Sequence, residues 1–221
     1  MAVRELEAIA PAEDICFFAD RLNSPYGTKD EDTLTGLVMQ DIRLLISEGA
    51  DRILMACCTA STLYSRLPPE YRSICVPIIE PTARRALSLT GCGRIGVIAT
   101  ERTTASGAFE RALRARCADI SVSSVAAQPL VTLIEGGEHD GCVSGECLDY
   151  LSELLAPLKE AGIDTLILGC THFPHLSRTI ASLAEGVALV SSAREGAAEM
   201  KRITTARGCG VRKYITERKG Q

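Results

Sequence analysis

The 221-residue sequence contains no apolar run that approaches the roughly 20 residues of a membrane-spanning helix. Its first stretch, MAVRELEAIAPAED, carries Arg4, Glu5 and Glu7 where a secretory leader would be apolar, so it does not read as a signal peptide. Basic residues are not in excess: 24 Lys and Arg stand against 28 Asp and Glu, a net charge of −4. That balance argues against sequence-independent nucleic-acid binding, which needs a basic face. The ten cysteines include no CxxC pair, which removes support for a thioredoxin-like site or a zinc ribbon. There is no low-complexity segment. The expectation is a cytoplasmic protein with reduced thiols, acting on neither membrane nor nucleic acid.

Present instead is an ordinary globular composition, 46% apolar and 24% charged, in a chain long enough for a substantial core. Short apolar runs alternate with segments of helical period. Strands are predicted at 15–18, 53–56, 95–99, 120–125, 166–168 and 187–190, and helices at 33–47, 81–89, 106–116, 145–161 and 175–184. In the first of these helices Leu34, Leu37, Val38, Ile42, Leu45 and Ile46 fall on one face. This is the pattern of an α/β protein with largely parallel sheet, whose ligands bind at the carboxyl ends of strands. The segment GEHDGCVSGE (137–146) reads as loop, and TERKGQ (216–221) as a solvated end.

The chain also repeats itself weakly. GADRILMACCT (49–59) aligns with GIDTLILGCTH (162–172): Gly-x-Asp-x, three apolar residues, a small residue, then cysteine. Cys57 and Cys170 therefore end equivalent predicted strands. Two similar α/β halves facing each other, with parallel sheets and a cleft between, would set these thiols on opposite sides of one site. Opposed thiols suit inversion of a stereocentre: one removes a proton from carbon while the other delivers a proton to the opposite face. A thiol pKa of about 8.5 leaves both protonation states accessible near neutrality. Thr59, Ser61 and Thr171, with backbone N–H groups of their turns, are candidate donors for a substrate carboxylate. Buried structural thiols remain the alternative reading of both cysteines.

ACCTAS (56–61), GCTHFPHL (169–176) and SPYGTKD (24–30) resemble the glutamate racemases of the cofactor-independent aspartate/glutamate racemase superfamily, whose patterns read ACNTAS, GCTHYPLL and PYGxKS. GRIGVIATERTTASGAF (93–109) and QPLVTLIEGG (128–137) are similar to further family segments, so the resemblance covers essentially the whole chain. It implies two α/β subdomains, residues 1–92 plus 187–221 and residues 93–186. It implies an amino-acid racemase, an isomerase of glutamate supplying D-glutamate for peptidoglycan, with no cofactor, no metal and frequent assembly into homodimers. Cys57 and Cys170 would be the acid/base thiols, Glu135 and His172 would assist Cys170, and Thr59, Thr103 and Thr171 would hydrogen-bond substrate. Pro25, Tyr26 and Gly27 would line the pocket with backbone.

Two departures bear on activity. The family opens with a strand ending in DSGxGG, and residues 3–20 match only its following helix and second strand. The resemblance thus implies an N-terminally truncated form, short of an inner strand, with an apolar helix face and two sheet edges left open. Cys58 stands where the family has a substrate-binding Asn, and a thiol is a weak donor and acceptor. The alternatives are a catalytically impaired homologue that binds a small acid or a partner, and a racemase of aspartate or another amino acid. Cys170, His172 and His175 are residue types that ligate metals, but the family pattern accounts for His172, and His175 and His139 read as surface residues.

Overall fold

The computed structural model describes residues 1–204 and 208–215; the segment 216–221, expected to be a solvated end, lies outside them. The first half runs α1 (Ala2–Ile9), β1 (Ile15–Phe18), a 3-10 turn (Tyr26–Thr28), α2 (Glu31–Ser47), β2 (Ile53–Met55), α3 (Cys58–Ser61), α4 (Pro69–Arg72), β3 (Cys75–Pro77) and α5 (Ile79–Leu89). The second half comprises β4 (Arg94–Ala99), α6 (Glu101–Ala105), α7 (Ala108–Arg114), β5 (Ser121–Ala126), α8 (Gln128–Glu135), α9 (Gly145–Glu160), β6 (Thr165–Gly169), α10 (Ser177–Leu183) and β7 (Ala188–Ser191). α11 (Ser192–Ile203) and β8 (Arg212–Ile215) return to the first half.

Every paired strand is parallel. The second half holds a four-stranded sheet ordered β5-β4-β6-β7. Its inner strand β6 is buried along its whole length and β4 at all but its first residue, as expected of central parallel strands covered on both faces. The return to the first half was expected at 187, but β7 pairs with β6, so the crossover falls after Ser191. The two edge strands β3 and β8 escape a reading by hydrophobic run because one is three residues long and the other, Arg-Lys-Tyr-Ile, is mostly polar.

Helix starts follow local chemistry. The Asp30 carboxylate accepts from the Thr33 N–H and caps α2, whose Leu34, Val38 and Ile42 are buried, while Ile46, expected on the same face, stays exposed. Ser144 caps α9 in the same way through the Cys147 N–H.

Among the described residues β1 pairs with β8 and β2 with β3, and the two pairs form separate sheets. Between them lies part of a cavity of about 1160 Å³, walled by α1, α2, β1, β2, β8 and α11.

The halves are not merely tethered. Ile78, Ile79, Ala83 and Ala86 on and before α5 share one buried cluster with Ile95, Val97, Ile167 and Val190 of the second sheet. The connection between halves is fixed by Asp164, whose carboxylate accepts from the Thr90 hydroxyl at 2.6 Å and from the Gly91 and Cys92 N–H groups at 2.7 Å each. Burial raises this carboxyl, but those hydrogen bonds outweigh it and hold the group well below the usual carboxylate range.

The small residue before the second strand-end thiol has a packing reason. A Cβ on Gly169 would sit 2.8 Å from the Ile98 carbonyl oxygen, 2.9 Å from the Phe109 ring and 3.0 Å from the Ala99 Cβ. The backbone of β6 thus approaches β4 too closely for any side chain. Gly169→Ala is expected to destabilise the chain by about 1–3 kcal/mol, as over-packing does, in urea unfolding followed by circular dichroism. An unchanged midpoint would show that these strands part freely.

Candidate active site

The carboxyl ends of β2 and β6 meet on one cavity, the same one that runs between the strand pairs of the first half. Cys57 follows β2 by one residue beyond Ala56 and stands at the N-cap of α3. Cys170 follows Gly169 directly. Both line the cavity with Pro25, Tyr26, Gly27, Thr59, Thr171 and His172. The strand-end equivalence inferred from the repeat is thus realised in space, and the two thiols are near enough that negative charge on Cys57 would raise the pKa of Cys170.

The surroundings of the two thiols differ. The Cys170 sulfur lies 3.5 Å from His172 Nδ1, and His172 Nε2 lies 3.5 Å from Glu135 Oε1. With its proton on Nε2, facing Glu135, the imidazole leaves Nδ1 free to accept from the Cys170 thiol. Burial lowers the His172 pKa against the opposing pull of Glu135, which favours the neutral imidazole that such a base requires. Burial pushes the Cys170 thiol up to about 12, offset in part by the His172 and Thr171 N–H groups. Cys57 is also raised by burial, and its compensation comes from the N–H groups of Ala60 and Thr59 and from the Thr59 hydroxyl. Among the described residues no imidazole or carboxylate is a leading influence on it.

Thr59 also joins a buried ring of hydroxyls. Its Oγ1 is 3.1 Å from Thr100 and 3.1 Å from Thr103, and the Thr100 hydroxyl reaches Thr103 at 2.9 Å. Thr103 therefore lies behind the cavity wall and reaches it through Thr59 and Thr100. Thr100 lines the wall and caps α6 through the Thr103 N–H. Its role as a cap was the signal available in the sequence. Ser61, a candidate donor, is instead occupied: its hydroxyl donates to the Met55 carbonyl and accepts from the Ile78 N–H.

Tyr26 contributes more than backbone. Its hydroxyl lies 2.7 Å from Asp41 Oδ2 and 3.0 Å from Asp20 Oδ2, and burial together with these carboxylates keeps it protonated. Cys58 lies on the wall of the cavity but is 2% exposed, and its thiol donates to Ser192 Oγ at 3.4 Å. Ser192 in turn donates to the Leu168 carbonyl at 2.9 Å. Burial raises the Cys58 thiol well above its ordinary value, so it stays neutral. His175 also lines the cavity, whereas the ring of His139 accepts from the Gly141 N–H within its own loop. Among the described residues no group of three or more His, Cys, Asp or Glu side chains is arranged to hold a metal ion.

The sequence profile of Asp/Glu/hydantoin racemases matches residues 7–200. The chain belongs to this family. It is 42% identical over 179 residues to the glutamate racemase of Desulforudis audaxviator, covering 80% of this chain and 64% of that one. It is 35% identical over 205 residues to the glutamate racemase of Herpetosiphon aurantiacus, covering 92% and 80%. Its fold superposes on the crystal structure of a Bacillus anthracis glutamate racemase with a TM-score of 0.87 at 31% identity, covering 96% of this chain and 81% of that one. A Francisella tularensis glutamate racemase, solved in complex with D-glutamate, gives 0.85 at 26% identity, covering 96% and 81%. The two-lobed α/β architecture is thus that of the racemases. The chain spans just under two thirds of the Desulforudis relative's length.

The family thiol next to His172 should behave as a buried, neutral thiol. A raised pKa leaves the group protonated below it, so alkylation of Cys170 should still climb about tenfold per pH unit through pH 10. Iodoacetamide labelling followed by peptide mass spectrometry, with exposed Cys92 as reference, reads this directly. A labelling rate that levels off below pH 8 would contradict it.

Proposed function

We propose that the chain is a cofactor-independent glutamate racemase acting through two thiols. The carrying observation is the pair of strand-end cysteines, Cys57 and Cys170, on one cavity shared by both halves. Substrate carbon would lie between them. In one direction the thiolate of Cys57 removes the Cα proton and the Cys170 thiol delivers another to the opposite face; in the other direction the roles exchange. Each turnover needs one thiolate and one thiol. Mutual charge repulsion between Cys57 and Cys170 favours that mixed state over a double thiolate. His172 accepts the Cys170 proton, and Glu135 holds the imidazole tautomer that can do so. Thr59, Thr171 and the backbone of Pro25–Gly27 bind the substrate's polar groups, with Thr103 and Thr100 orienting the Thr59 hydroxyl. Cys58 shapes the wall without contributing an amide.

Glutamate is favoured as substrate by the names of the relatives, and a cytoplasmic setting by the ten free thiols, which a reducing compartment preserves. The product would serve peptidoglycan synthesis. A second reading has its own observation. Cys57 lacks the kind of base that Cys170 possesses, so the chain would bind a small acid and exchange its proton poorly.

Incubating the chain with L- or D-glutamate in D₂O and following the α-proton by NMR separates the readings. Exchange with inversion is expected, and Cys57→Ser or Cys170→Ser should lower it by at least about 100-fold, the scale of a lost acid/base group, while the far-UV spectrum is unchanged. Equal rates in wild type and both variants would sink the two-thiol mechanism. Binding without exchange would favour the second reading, and faster exchange of aspartate would reassign the substrate.

A further inference from the structure

We propose that Arg102 is a positioning residue that straps the pocket loop of the first half to the second half, and so sets the substrate site before substrate arrives. The inference rests on the racemase reading for its kinetic part and on geometry alone for its structural part.

The loop from Ser24 to Lys29 carries Pro25, Tyr26 and Gly27 on the cavity wall. Within its own half it is held by the Tyr26 hydroxyl against Asp41 and Asp20, and by the Thr28 hydroxyl donating to the Pro25 carbonyl. Toward the second half, among the described residues, it makes a single hydrogen bond: Arg102 Nη1 donates to the Lys29 carbonyl at 2.7 Å. Arg102 sits on α6 next to Thr103, the member of the hydroxyl ring that contacts Thr59 at 3.1 Å. One residue of α6 thus holds the loop and the next holds the floor. The end of the loop is also the start of α2, because Lys29 precedes the capping residue Asp30. Holding the Lys29 carbonyl therefore fixes the last free link between Tyr26 and a rigid helix. Gly27 leaves little room against the start of α8, since a Cβ there would lie 3.3 Å from the Gln128 side-chain oxygen.

The guanidinium is held at some cost. Its Nε is buried and has no hydrogen-bond partner. An arginine with an unpaired buried donor is a poor way to gain stability, which points to the loop's position as what Nη1 secures. The loop spans the cleft between the halves, so its order before binding bears on affinity more than on the proton transfers at Cys57 and Cys170. Removing the strap leaves that ordering to be driven by substrate binding.

The test compares wild type, Arg102→Met and Arg102→Lys. Hydrogen–deuterium exchange of the peptide covering residues 25–30 in the unliganded chain should be about fivefold or more faster in Arg102→Met, with wild-type rates in the strands of the second sheet. Under saturating and sub-saturating glutamate, KM should rise about fivefold or more while kcat changes by less than about twofold. Arg102→Lys, which keeps a charged donor within reach of the carbonyl, should restore both readouts at least in part. If Arg102→Met does not fold, Arg102→Lys against wild type carries the comparison, and values intermediate in both readouts are expected. Unchanged loop exchange, or faster loop exchange with an unchanged KM, overturns the proposal. If wild type exchanges no Cα proton, the racemase reading fails, and the exchange of residues 25–30 alone decides the strap.

Discussion

The site depends on one packing contact, α5 of the first half against β6 and β7 of the second. Ile78, Ile79, Ala83 and Ala86 are buried with Ile167 and Val190 in a single cluster. Because a close-packed core resists small displacements, this contact fixes the angle between the halves. Cys58 belongs to the same cluster, and its thiol reaches Ser192, which bonds the Leu168 carbonyl of β6. A line of contacts therefore runs from the residue after one strand-end thiol to the strand that carries the other. The proposed two-thiol mechanism, in which the thiols serve opposite faces of one carbon, would need such a rigid frame, since catalytic effects of this kind fall steeply with misplacement.

Within that frame the two thiols are unequal. Cys170 has an imidazole at 3.5 Å, itself oriented by a carboxylate. Cys57 has hydroxyl and N–H donors only, which stabilise a thiolate but accept no proton. Burial raises both pKa values, so neither thiol ionises readily. The charge distribution of a bound amino acid, which brings an ammonium and a carboxylate into the cavity, then enters the balance directly. The division of the first sheet into two strand pairs, with the cavity continuing between them, lies on the Cys57 side.

The inner elements were legible because a buried parallel strand must be apolar along its length, as Ile95–Ala99 and Leu166–Leu168 are. The repeat was legible because both runs end in a small residue and then a thiol, and at Gly169 the close approach of β4 requires it. Its shared aspartates proved unlike: Asp164 fixes the link between halves, whereas Asp51 is exposed and has no such task. Edge strands β3 and β8 were not legible, the first because three residues give no pattern and the second because partial solvation removes the apolar signal. Arg102 was missed for a different reason. Its partner, the Lys29 carbonyl, is 73 residues away in the chain, and nothing local marks a side chain whose role is to reach across a cleft.

By itself the sequence determined the α/β class, the placing of Cys57 and Cys170 at strand ends and the family to which the chain belongs, because these follow from local periodicity and short motifs. Only tertiary structure decided where β7 pairs, that Ser61 is engaged by Met55 and Ile78, that the Cys58 sulfur turns to Ser192, and that one thiol has a base and the other does not. Each of those outcomes is a competition for hydrogen-bond partners and packing volume among residues far apart in the chain. Such a competition is settled by which groups the fold brings within about 3.5 Å of one another, a separation that spacing along the sequence does not encode.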